Sequence, residues 1–379
     1  MTATETPSRS SETLRARLVE LTRNLILIPS TADRPEEIDR CMEFVINHVE
    51  GAGTVTVHRY RRGGSPCTVL LPHGTGAPKV LLLAHLDVVS LPAGSLYRSE
   101  IRDGRIYGPG AGDMKGELAI LLEVFLRIHQ SYAGASLGLA VTSDEERGGN
   151  HGTRFLFEET GLRCNTAIVP DSGAINEIAV EEKGTLHVKI TVQGRAGHGS
   201  RPWQADNPFD RLMSVYGKMR DHFNRLASAH DHWHPTCTCT VIQTPNRVPN
   251  RIPDSAEMIL DIRFPAPFTV AQIRADLRRF LDDRMTMELL IAAAPTLVAP
   301  DPLYLEVTEA ITGKPATLTR EHGGSDARFI ASHGISVIMT RPFVGNLHAV
   351  DEWIDIASME LLYRIYEEYL IRKLSVSVR

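Results

Sequence analysis

The chain has 379 residues, 42% of them apolar and 23% charged, with a formal net charge of −5. It is too long for one ordinary domain, it can build a large core, and it lacks the basic excess that nucleic-acid binding requires. The first dozen residues hold no signal-peptide core, and the longest apolar run, LLIAAAPTLVAP, contains two prolines and is too short for a membrane span. Five cysteines without framework spacing suit a reducing compartment, so a soluble, cytoplasmic protein is expected.

Residues 35–50 put Ile38, Met42, Val45, Ile46 and Val49 on one face before Gly51, which predicts a helix. TVTVHRY, TVLLP and KVLLLAH follow as strands, and residues 117–128 read as a buried helix. SLGLAVT and NTAIVP are two more strands, and alternation of this kind implies an α/β layer with a mostly parallel central sheet. The pattern changes after residue 183: GTLHVKITVQG, CTCTVIQ and AEMILDIRF alternate like half-exposed strands, interleaved with helical stretches at 208–229 and in FTVAQIRADLRRFLDD. These passages predict a smaller α+β domain, 184–295, inserted between two parts of the larger one, 1–183 and 296–379. The α/β pattern resumes with helices near 303–312 and 325–333, a strand ISVIMT and a closing helix at 356–373.

Three apolar strands run into metal-ligand residue types. VLLLA leads to His85 and Asp87, LGLAVT to Asp144, Glu145 and Glu146, and TAIVP to Asp171. Open α/β sheets bind ligands outside the carboxyl ends of their strands, so these residues are expected to share one site. The loop YGPGAGDMKGE adds Asp113. Carboxylates and imidazole without thiolate suit a two-metal zinc site, in which a carboxylate bridges ions about 3.5–4 Å apart. Asp87 is placed to orient the far ring nitrogen of His85. Of the adjacent Glu145 and Glu146, one can ligate while the other acts as general base. A phosphate-cradle reading of the glycines fails on spacing: GPGAG is not GxGxxG, and no Lys-Ser pair follows.

HLDVV, DGRIYGPGAGDMKGELA, TSDEERGG and the late LHAVDEWI together resemble the dinuclear zinc amidohydrolases. That family includes acetylornithine deacetylase, succinyl-diaminopimelate desuccinylase, glutamate carboxypeptidase and the carnosine-type dipeptidases. The resemblance spans about residues 14–373 and implies a zinc-exopeptidase-like catalytic domain with an inserted lid or dimerisation domain. It makes His85 and Asp171 ligands of one zinc, Glu146 and His348 ligands of the other, and Asp113 the bridge. Asp87 would orient His85, and Glu145 would be the general acid/base that takes a proton from the attacking water and hands it to the leaving amine. Two Zn2+ are implied, with Co2+ or Mn2+ as substitutes.

GRAGHGSRP in the inserted segment resembles the family's histidine motif and implies that His198 reaches a partner subunit's active site to polarise the substrate carbonyl. NRVPNRIPDSAEMILDIRFP resembles the family's asparagine-and-arginine stretch, which implies Asn250 and Arg263 as substrate-carboxylate contacts, a guanidinium matching a carboxylate's bidentate geometry. HGGSDARFI resembles the desuccinylase segment, which implies Ser325 and Arg328 as substrate contacts, with a purely structural helix start as the alternative. Two departures stand out: Gly324 replaces an expected threonine, which weakens transfer of the desuccinylase substrate, and Pro109 replaces the arginine of many relatives. His230, His232, His234, Cys237 and Cys239 also crowd together, but their spacing suits a solvated loop entering a strand better than structural zinc.

The sequence therefore implies a homodimeric metal-dependent hydrolase that cleaves the amide of a small, carboxylate-bearing N-acyl amino acid. A dipeptidase or carboxypeptidase would share every ligand. A catalytically silent binding protein would be expected to lack part of this set, and a metallophosphatase would need more basic residues near it.

Overall fold

Strand Val80–His85 is buried along its whole length and sits within a six-stranded sheet. The computed structural model describes residues 13–53, 55–92, 97–227 and 231–375. The sheet runs Val55–Arg62, Ser65–Pro72, Leu137–Thr142, Val80–His85, Thr166–Ile168, Ser336–Ile338. The last four strands are parallel, and the first two form an antiparallel hairpin joined at that edge. Covered on both faces, the inner strands carry unbroken apolar runs rather than alternation. Val80, Leu82 and Ala84 face one core with helices Leu14–Ile26, Pro35–Val49, Gly116–Ser131 and Ile356–Leu374. Leu81 and Leu83 face a second core with Leu156, Phe157, Ala327 and Ile330. This is the mixed α/β architecture with a mostly parallel sheet that the sequence implied.

The chain divides into two compact units, one holding the residues up to Val180, Val298–Arg320 and those from Ser325, the other Glu181–Leu297 and Glu321–Gly324. In the second unit an antiparallel sheet runs Thr236–Gln243, Ser255–Phe264, Gly184–Gln193, Met285–Ala293. Its inner face packs Leu186, Val188 and Ile190 against Leu212, Met219 and Phe223 of helix Pro208–Asn224 and Ile273 and Leu277 of helix Val270–Arg278. Local chemistry starts both helices. Asn207 accepts from the backbone of Phe209, and Thr269 and Gln272 form a reciprocal capping box.

Asp301 joins two elements of the first unit. It caps helix Pro302–Thr312, accepting from Leu303 N at 3.0 Å, and accepts from Tyr369 Oη at 2.8 Å and Lys373 Nζ at 2.7 Å on helix Ile356–Leu374. Burial opposes its charge, but Lys373 and Tyr369 hold it below the ordinary carboxylate range. A depressed folded pKa stabilises above the unfolded value near 3.9, and that gain disappears as pH falls through the folded value. Asp301→Asn is expected to cost about 1–3 kcal/mol at pH 7. In urea denaturation the gap from wild type should narrow as the pH falls below about 4.

Candidate metal centre

Parallel pairing places the ends of three strands at one edge. His85 pairs with Thr142, three residues before Glu145, and the neighbouring strand ends at Ile168, three residues before Asp171. Asp113 arrives from the turn that precedes helix Gly116–Ser131. Gly110 sits at φ +77°, and a Cβ on Gly112 would lie 2.6 Å from Val344 Cβ, so the glycines let this turn lie flat against its neighbours. His348 comes from a loop, in the left-handed region at φ +63°, an uncommon conformation for a residue other than glycine.

Donor atoms of His85, Glu145 and Asp171 lie within 4.8 Å of one another, and those of Asp113, Glu146 and His348 do likewise. The Asp113 carboxylate joins the two groups. Its Oδ1 is 3.2 Å from His85 Nε2 and its Oδ2 is 3.1 Å from His348 Nε2. Glu146 Oε2 stands 3.5 Å from His348 Nε2. Glu145, expected as acid/base, is thus within reach of the position that His85 and Asp171 define.

The donors fit a cation. His85 Nδ1 lies 2.9 Å from the backbone carbonyl of Asp87, which can only accept, so Nδ1 carries the proton and Nε2 turns a lone pair toward Asp113. His85 Nε2 and Glu146 Oε1 are buried without a hydrogen-bond partner among the described residues. Burial and the neighbouring Asp113 push Glu146 up to about 8, and burial raises Glu145 well above the carboxylate range. Burial also works against Asp113, yet the two imidazoles hold it low. Carboxylates buried this closely need positive charge among them, which a divalent ion supplies.

Several expected roles change in detail. His85 is oriented by the Asp87 carbonyl, while the Asp87 carboxylate, 3.5 Å from Nδ1, accepts from Glu145 N at 3.3 Å and Glu146 N at 3.2 Å. Asp87 therefore positions the glutamate turn as well as facing the imidazole. Arg328, expected to meet substrate, donates to Ser325 O at 2.7 Å and Gly148 O at 3.0 Å, and lies 3.9 Å from Glu145 Oε1. Ser325 is 1% exposed, and its Oγ accepts from Ala327 N at 3.3 Å at the start of the helix Ala327–Ala331.

In the second unit, the Arg263 guanidinium donates to Asp261 at 2.7 and 3.1 Å and to Thr185 Oγ1 at 3.0 Å. Asn250 is exposed, and its carbonyl accepts from Gly199 N at 2.7 Å. The carbonyls of His232 and His234 accept from Lys183 Nζ at 2.7 and 2.9 Å; His230 lies outside the described residues.

Sequence reasoning passed over three residues behind the ligands. Glu352, buried, accepts from Gly110 N at 3.0 Å and Gly112 N at 2.7 Å and so holds the turn that delivers Asp113. Lys115, fully buried, donates to Leu25 O at 2.9 Å and Ile28 O at 2.5 Å at the end of helix Leu14–Ile26. Arg341 donates to Asp171 O at 3.3 Å. Glu352 closes LHAVDE and Lys115 follows Asp113 in GDMKG, so both sat inside motifs already singled out.

The sequence profile of peptidase family M20/M25/M40 matches residues 81–372. The chain belongs to that family. It is therefore a metal-dependent hydrolase of amide bonds. A succinyl-diaminopimelate desuccinylase from Parvibaculum lavamentivorans is 30% identical over 323 residues, covering 78% of this chain and 80% of the relative. Two solved structures share the fold. An M20 family metallo-carboxypeptidase from Sulfolobus solfataricus gives a TM-score of 0.75 at 16% identity, covering 94% of this chain and 99% of that one. Human carnosine dipeptidase 1 gives 0.73 at 14%, covering 95% and 97%.

Removing the Glu352 carboxylate leaves two buried N–H groups without an acceptor. Glu352→Ala is expected to cost about 1–3 kcal/mol of stability. It should also lower bound metal, read by thermal denaturation and by metal analysis of the purified protein.

Proposed function

We propose that the protein is a dizinc deacylase that hydrolyses the amide of a small N-acyl amino acid bearing a carboxylate. The observation that carries this reading is the Asp113 carboxylate set between two imidazoles, each belonging to its own group of three donors. In this reading His85 and Asp171 would hold one ion, Glu146 and His348 the other, and Asp113 would serve both. Bound there, the ions would polarise the scissile carbonyl and make water nucleophilic near neutral pH. Glu145 takes the proton of the attacking water and returns it to the leaving amine. Its burial favours holding that proton between the two steps, and Arg328 steadies the carboxylate once the proton has gone. Asp87 fixes the backbone of both glutamates, and the partner subunit's His198 would supply a hydrogen bond to the carbonyl oxygen.

The deacylase reading draws on the named relative from Parvibaculum lavamentivorans, whereas the fold neighbours include a dipeptidase and a carboxypeptidase. We also place the protein in the cytoplasm, where its five unpaired cysteines would stay reduced. We take it to be a homodimer through the second unit, whose outer strand Thr236–Gln243 pairs on one side and shows Val241 and Ile242 to solvent.

A panel of N-succinyl, N-acetyl and N-carbamoyl amino acids and dipeptides, with zinc and with chelator, tests the reaction class. Turnover of an N-acyl amino acid that chelator abolishes is expected; cleavage of dipeptides alone would replace the deacylase reading. Glu145→Gln should keep the fold and the metal while losing on the order of 10²–10⁴-fold in kcat. Sedimentation velocity is expected to give a dimer, and a fully active monomer would remove that part of the reading.

A further inference from the structure

His198 lies outside both groups of candidate ligands, and its surroundings fix its chemistry. The two-residue strand Gly197–His198 pairs with Arg251–Ile252, and Gly199 N donates to Asn250 O at 2.7 Å. Arg201 N donates to His198 O at 2.9 Å, which closes a four-residue turn over His198–Arg201. The turn folds Ser200 back on the ring, with Ser200 N 3.2 Å and Ser200 Oγ 2.8 Å from the same atom, His198 Nδ1.

A backbone amide can only donate, so Nδ1 has to offer its lone pair. The proton of the neutral ring then sits on Nε2. The other tautomer would set an Nδ1–H against the Ser200 N–H. The Ser200 hydroxyl turns its hydrogen toward Nδ1 for the same reason and reinforces the choice. His198 is exposed, and its Nε2 meets no partner among the described residues.

His85 shows the opposite arrangement. There a carbonyl faces Nδ1, which leaves Nε2 with a lone pair suited to a cation. At His198 an amide faces Nδ1 and leaves Nε2 as a donor. A ring held this way is unsuited to ligating metal, or to removing a proton, through Nε2. It is suited to an oxygen that gains negative charge.

We propose that Ser200 is a positioning residue that locks His198 as the Nε2–H imidazole, so that the ring meets its substrate as a hydrogen-bond donor to the oxygen of the amide under attack. The inference rests on the reading of the protein as an amide hydrolase in which His198 contacts substrate. Ser200 itself touches neither substrate nor metal, and its effect passes through the ring.

The test uses full-length, metal-loaded protein labelled with 15N-histidine, with the His198 signals assigned by their loss in His198→Gln. Long-range 1H–15N correlation distinguishes the tautomers directly. Wild type is expected to show a protonated Nε2 and a bare Nδ1. Ser200→Ala keeps the backbone amide and loses the hydroxyl, so it should show a detectable minor Nδ1–H form beside the Nε2–H form, with kcat for the best amide of the panel down roughly 2–5-fold at unchanged KM, and Ser200→Thr should restore both. A structural role alone would leave the tautomer signature unmoved. A protonated Nδ1 in wild type, or a Ser200→Ala spectrum identical to wild type, would overturn the proposal. Full turnover by His198→Ala, with the expected wild-type spectrum, would instead remove substrate contact by His198, and with it the role assigned to Ser200 in the reaction.

Discussion

Parallel pairing among the strands Leu137–Thr142, Val80–His85 and Thr166–Ile168 is the constraint on which the centre depends. Because the strands share one direction, each delivers its terminal polar residues to the same edge. Sheet twist, register and two hydrophobic cores thus determine where the carboxylates stand before any ligand is considered. The fold can afford this crowding of charge because the apolar layers beneath the edge are large and the polar groups are confined to its rim.

Behind the candidate ligands lies a layer of groups that hold backbone rather than metal. Asp87 accepts from the amides of Glu145 and Glu146, Glu352 from those of Gly110 and Gly112, and Arg328 and Arg341 donate to the carbonyls of Gly148 and Asp171. The turns that present Asp113, Glu145, Glu146 and Asp171 are therefore tied to other parts of the first unit. Loops alone would place such residues loosely, and side chains anchored to their backbone make the placement reproducible.

His85, the Glu145–Glu146 pair and Asp171 stood out in sequence because hard ligands at the ends of apolar runs have few other reasons to recur, whereas Asp113 came from a glycine-rich loop and His348 only from the family resemblance. The α/β alternation was legible for a similar reason: buried parallel strands leave long apolar signatures. Strand Met285–Ala293 was harder to see, since MTMELLIAA passes from alternation into a plain apolar run and its residues are only partly buried. Helix Leu14–Ile26 escaped because arginines and a glutamate dilute its apolar stripe. The ion pair of Arg263 with Asp261 follows from one rule of spacing. In DIR the charges at 261 and 263 lie two apart on a strand, which puts them on the same face and within reach of each other. Ser325 and Arg328 pointed at substrate only by analogy, and their backbone partners follow from a tertiary arrangement that sequence does not display.

Lys115 ties the start of the described chain to this arrangement. Its ammonium lies in a dry interior, and its hydrogen-bond acceptors are carbonyls at the exit of the first described helix. Stripped of that segment, the chain would keep every prospective ligand yet lose the two carbonyls that hold the Lys115 ammonium directly beside the GDMKG turn. A segment that donates nothing to the reaction is in this sense a foundation of the catalytic edge, and docking of the first helix and completion of the centre should occur as one cooperative event.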